Sequence, residues 1–160
     1  MKIQHNKNMT NTLVDCSSNA EFEAIQKDRW FKYKETTIHF QDCGLVDPRR
    51  IELIKVGSEG MTVGEVFAML QQQTDYIPLN RCISDFISKT PRDESLADLL
   101  PQCTAHRDLF FFGSTFENWR GEKWVLSINY SLIGAPISYL KRHLKEGWYP
   151  RKWRVAVIRK

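Results

Sequence analysis

Four residues have the types and spacing to hold a metal ion. His39 and Cys43 stand four apart, and Cys103 and His106 three apart. Thiolate and imidazole are the ligands zinc takes, and a tetrahedral site uses four of them. The first pair lies at the end of one strand candidate and the second just before another. Pairing of those two strands would let both half-sites reach one Zn²⁺. The same residues allow a thiol nucleophile, because His39 or His106 beside Cys43 or Cys103 could take the thiol proton. The plainer alternative is two buried thiols and two polar imidazoles. The sequence carries no phosphate-binding P-loop, no dinucleotide-binding glycine motif, no His-Glu-x-x-His and no nucleophile elbow. The chain therefore reads more readily as a binding or regulatory protein than as an enzyme, with a zinc-dependent or Cys-His enzyme on those four residues as a second alternative. It implies no cofactor beyond the zinc those four ligands would hold.

A second constellation is electrostatic. Residues 141–160 hold eight Lys or Arg against one acid, Glu146, a net +7. The whole chain carries +4, which leaves −3 on residues 1–140. A field of one sign at one end favours an anionic partner. Lys141, Arg142, Lys145, Arg151, Lys152 and Arg154 are interleaved with Trp148 and Tyr149. Cations neutralise phosphates, and aromatic rings offer stacking faces to unpaired bases. The expected partner is thus DNA or RNA, bound with little sequence specificity, or else an acidic protein surface. Replacing Lys141, Arg142 and Lys145 together by Ala is expected to weaken binding and leave folding intact. A third cluster, Phe116, Trp119 and Arg120, has residue types favoured at protein-binding hot spots. It supports an inhibitor, immunity or adaptor module as the alternative function.

These groups need a scaffold, and 160 residues with 42% hydrophobic and 12% aromatic content suffice for one domain. The longest apolar run, residues 66–70, is five residues, too short to span a bilayer. No apolar stretch follows Met1-Lys2, so the reading is a cytoplasmic protein with reduced thiols. Residues 1–17 are polar and predict a mobile arm ahead of a domain at 18–160.

Periodicity then places the elements. Ser18 to Glu21 matches a capping box for a helix reaching Trp30 and Phe31. Strands are predicted at 36–41 and 51–56. Thr62 and Glu65 form a second capping box, followed by Val63, Val66, Phe67 and Leu70 on one helical stripe. Helices follow at 79–89, with Cys82 in its core face, and from Thr90 to before Pro101. Leu109 to Phe112 is a bulky apolar strand. It pairs with 124–130 through a long loop whose tip carries Phe116, Trp119 and Arg120. Pro136 opens a last helix, with Ile137, Leu140 and Leu144 inward and Lys141, Arg142 and Lys145 outward. Trp153, Val155 and Val157 alternate in a final strand. The expected fold is α+β: a mainly antiparallel sheet of about five strands with helices packed on one face.

Overall fold

The structure, a computed structural model, describes residues 13–17, 37–89, 107–118, 120–130 and 138–160. The expected helices over 18–31 and 90–100, together with Trp119, Cys103 and His106, lie outside the described residues.

The alternation of residues 109–112 explains the architecture. All four are buried, but on opposite sides of one strand. Leu109 and Phe111 join an apolar cluster with Leu79, Cys82, Ile83, Ile128, Ala156 and Ile158. Phe110 and Phe112 join another with Val63, Val66, Leu70, Val125, Trp148, Trp153, Val155 and Val157. A strand with no polar face must be covered twice. Helix α1 (Val63–Gln71) supplies one cover. Helix α2 (Arg81–Lys89) supplies residues to the other. The expectation of helices on a single face is corrected accordingly.

The strands are β1 (Val14–Asp15), β2 (Thr37–Phe40), β3 (Leu45–Val46), β4 (Glu52–Ile54), β5 (Tyr76–Pro78), β6 (Arg107–Glu117), β7 (Lys123–Tyr130), β8 (Ser138–His143) and β9 (Trp153–Arg159). Strands β1 and β3 form a two-stranded sheet, and the other seven form one sheet. Its backbone order is β4-β9-β6-β7-β8, with β2 also on β6 and β5 also on β9. The pairing is antiparallel throughout except between β6 and β9, which run parallel. The domain is thus α+β and mainly antiparallel, with more strands than expected.

Two differences from the expected elements matter for the site. Residues 138–143 form a strand, not a helix. Leu140 pairs with Ser127 and Arg142 with Val125, so this segment completes the ladder of β7 instead of its own helical turns. Ile137, Leu140 and Leu144 fit a helical stripe, but Tyr139 and Leu140 also suit a strand, and tertiary pairing decides. At the other end, residues 13–17 are not part of a free arm. Val14 and Asp15 pair with Val46 and Leu45, and Cys16 is fully buried.

Helix α1 starts as its sequence requires. The Thr62 side chain accepts from Glu65 N–H at 3.2 Å, and the Glu65 carboxylate accepts from Thr62 N–H at 2.7 Å. Thr62→Ala removes one of these bonds and is expected to cost about 1 kcal/mol. Urea unfolding measures it, and an unchanged midpoint would show that the cap contributes nothing here. Among the described residues no helix is long and apolar enough to cross a membrane.

Candidate functional site

The basic segment wraps from the end of β8 through the turn at 144–152 into β9. This turn is fastened to the N-terminus of α1. Val63 and Gly64, whose N–H groups have no partner inside the helix, donate to the carbonyls of Glu146 and Leu144, both at 2.8 Å. Trp148 N–H donates to Met61 O at 2.8 Å, and its indole N–H donates to Val56 O at 2.8 Å. Trp148 is 3% exposed, and its ring lies against Phe110 and Trp153, with centroids 5.0 and 5.3 Å away. The expected role of Trp148 as a stacking platform is therefore corrected: it is the anchor of the turn. Its neighbour Tyr149 is 57% exposed and meets Trp153 in a T-shaped contact, with centroids 4.9 Å apart.

The cations divide in the same way. Arg142 does not face solvent from a helix. Its guanidinium donates to the carboxylates of Asp108 and Glu146, the latter at 2.9 Å. Its charge also lies over the Trp153 ring, 5.1 Å from the centroid. Asp108 belongs to β6, and its side chain is 4% exposed. Arg142 is thus a cross-brace between β8, β6 and the turn, with Nη1 and Nη2 on carboxylates and a buried Nε that makes no hydrogen bond among the described residues. Arg154 is half-buried and donates to the carbonyls of Pro150 and Trp153 at 3.1 and 2.9 Å. Lys145, Arg151 and Lys152 are exposed. Arg151 meets Glu59 at 3.4 Å, but both side chains are mostly solvated, so that pair holds neither strongly. Lys141 takes the register position opposite Leu126. A strand of period two cannot put residues 141, 142 and 145 on one stripe, so their expected common helical face does not exist.

No family model, curated protein or solved structure matches this chain. On the anchored turn at 144–152 the exposed large side chains are Lys145, Tyr149, Arg151 and Lys152, while Arg159 and Lys160 are exposed at the far end of β9.

The other candidates are placed as follows. Phe116 is not at a loop tip. Strand β6 runs on to Glu117, and Phe116 sits 1% exposed, opposite Trp124 of β7 and Ile38 of β2. Arg120 does stand exposed at the tip. There the Asn118 side chain accepts from the N–H groups of Arg120 and Glu122 at 3.0 and 2.9 Å. His39 takes register opposite Thr115, at the far end of β6 from Arg107. Because β6 is bulged between Phe111 and Thr115, those two positions lie opposite Tyr130 and Val125 of β7, five residues or roughly 17 Å apart. The β2–β6 pairing thus forms in a register that carries His39 away from the start of β6. Cys43 directs its thiol at the carbonyls of Gln41 and Pro78, at 3.5 and 3.7 Å. Among the described residues no three His, Cys, Asp or Glu side chains group as metal ligands.

The sequence reading missed Asp108 and Glu146 as partners of Arg142. The four-residue spacing of Arg142 and Glu146 was visible. Asp108, 34 positions away in sequence, carried no local signal.

Proposed function

We propose that the chain is a small binding protein whose C-terminal turn contacts the phosphate backbone of DNA or RNA with little sequence preference. The observation that carries this reading is the grouping of Lys145, Arg151 and Lys152 around an exposed Tyr149 on a turn held by Trp148. Lysine and arginine supply phosphate contacts, which position a nucleic acid without reading its sequence. An exposed tyrosine ring beside them offers a stacking face for a base. Rigid anchoring lowers the ordering cost of binding. Arg142, through Nη1 and Nη2 on Glu146 and Asp108, and Arg154, through Nη1 on Pro150 O and Trp153 O, support the turn.

The test is fluorescence anisotropy with labelled single- and double-stranded oligonucleotides across a salt series. Three phosphate contacts predict a slope of log K against log salt of about −2 to −3. The variant Lys145→Ala, Arg151→Ala, Lys152→Ala should flatten that slope and keep the parent unfolding midpoint, since exposed cations contribute little to stability. Tyr149→Ala should weaken single-strand binding by about 1 kcal/mol and duplex binding by less. Absence of binding at low salt, or binding that survives the triple change, would move the function to the acidic-protein alternative.

A further inference from the structure

We propose that Cys16 and Cys43 are a thiol pair that oxidises to an intramolecular disulfide, a covalent clasp between β1 and the segment joining β2 to β3. The backbone already sets the two residues against each other. The β1–β3 register pairs Val14 with Val46 and Asp15 with Leu45. Beyond it, Cys16 N–H donates to Gly44 O at 2.8 Å, and Cys43 N–H donates to Cys16 O at 3.1 Å. Cys43 and Gly44 together therefore oppose Cys16, the two-against-one count of a β-bulge. Opposing residues of a hydrogen-bonded antiparallel pair have Cα atoms about 5.5 Å apart. A disulfide spans about 4.4–6.8 Å between Cα atoms, so the clasp needs no large backbone movement.

The surroundings hold this arrangement in place. Cys16 is fully buried in an apolar cluster, and Cys43 packs against the same cluster while partly exposed. Asn80, itself fully buried, donates from Nδ2 to Cys16 O at 2.8 Å and to Gln41 O at 3.0 Å. One side chain thus ties together the backbones that carry the two cysteines. Neither thiol is in a disulfide in the structure.

The difference in exposure orders the reaction. The oxidant is a low-molecular-weight disulfide such as oxidised glutathione. Cys43, the accessible thiol, loses its proton to solvent and attacks one glutathione sulfur. That S–S bond breaks and one glutathione thiolate leaves, to be protonated. Cys16 then loses its proton and attacks the Cys43 sulfur of the mixed disulfide, expelling the second glutathione. Two protein thiols are oxidised, and one glutathione disulfide is reduced to two thiols. A partly exposed attacking cysteine beside a resolving one is the arrangement such exchange needs.

The experiment treats the full chain with oxidised glutathione, blocks remaining thiols by alkylation, digests with trypsin and maps the peptides by mass spectrometry. The expected result, before alkylation, is an intact mass lower by two hydrogens than that of the reduced protein. A linked peptide pair should contain Cys16 and Cys43, with Cys82 and Cys103 alkylated. Cys16→Ala should stop the reaction at a glutathione adduct on Cys43, and Cys43→Ser should abolish both products. Because Cys16 is buried and its replacement can unfold the chain, the unmutated map decides. Glutathione retained on Cys43, a link from either cysteine to Cys82 or Cys103, or no consumption of thiol would overturn the proposal.

Discussion

Arg142→Ala is expected to lower the unfolding free energy by about 3 kcal/mol, read from urea denaturation. The change leaves the Asp108 carboxylate, 4% exposed, without the guanidinium that balances it. Removing one member of a buried ion pair costs about 3–5 kcal/mol, because the remaining charge stays desolvated. The lower end applies here, since the Arg142 side chain is 23% exposed and water shares its solvation. The Trp153 contact and the Glu146 bond go with it. Arg142→Lys should fall between the two, because an ammonium lacks the planar fork that reaches two carboxylates. Replacing both partners, Asp108→Leu with Arg142→Met, should recover part of the loss, because the desolvated carboxylate is removed with the guanidinium. An Arg142→Ala protein as stable as the parent would show that the pair is a surface contact. This result bears on the functional test too. A triple change of Lys141, Arg142 and Lys145 would confuse lost binding with lost folding, which is why Lys145, Arg151 and Lys152 are the residues to remove.

Arg142 also marks the boundary of what local pattern reveals. The capping box at Thr62 and Glu65 and the stripe of Val63, Val66 and Leu70 are short-range features, and α1 forms over them. The alternation of residues 153–158 likewise produces β9. Strand β8 defeats the same method because Ile137, Leu140 and Leu144 satisfy helical spacing while β7 supplies a ladder that no local pattern encodes. Strand β5 is three residues long and ends in Pro78, below the length at which alternation is readable. In the candidate site, the basic character of the segment was legible from composition alone. Which of its members face water was not. Trp148 and Tyr149 are adjacent aromatics, yet one is buried by Val56 and Phe110 and the other is open. Arg142 and Lys145 are both cations, yet only the former has Asp108 to draw it inward. Exposure here is decided by partners distant in sequence, Asp108 for Arg142 at 34 residues and Val56 for Trp148 at 92.

Gly113→Ala is expected to cost about 4 kcal/mol, enough to leave little of a typical domain's total of about 5–15 kcal/mol. A Cβ at this position would stand 2.6 Å from both Asn80 N and Leu79 C, and 2.7 Å from Leu79 O. These are backbone atoms, so no flexible side chain can swing aside. The contact is close because one edge of β6 is served by three segments in turn. Strand β9 pairs at Asp108 to Phe110, Leu79 O accepts from Gly113 N–H at 2.9 Å, and β2 pairs from Ser114 onward. Moving the backbone at 79–80 outward would strain Leu79 N–H to Ala156 O, at 3.0 Å, and Arg81 N–H to the Ser114 hydroxyl, at 2.9 Å. It would also carry off the Asn80 side chain that joins Cys16 to Gln41. Each buried polar group left unpaired costs about 1–3 kcal/mol, and overpacking adds about as much. Gly60→Ala is the control. Gly60 has φ of +89° and nothing within 4 Å of an added Cβ, so it should lose only the conformational term of about 1–2 kcal/mol. Urea midpoints of the two variants, compared at equal m-value, separate the effects. A Gly113→Ala protein no less stable than Gly60→Ala would mean that the 79–80 segment yields freely, and that the junction of β9, Leu79 and β2 on β6 is looser than its geometry.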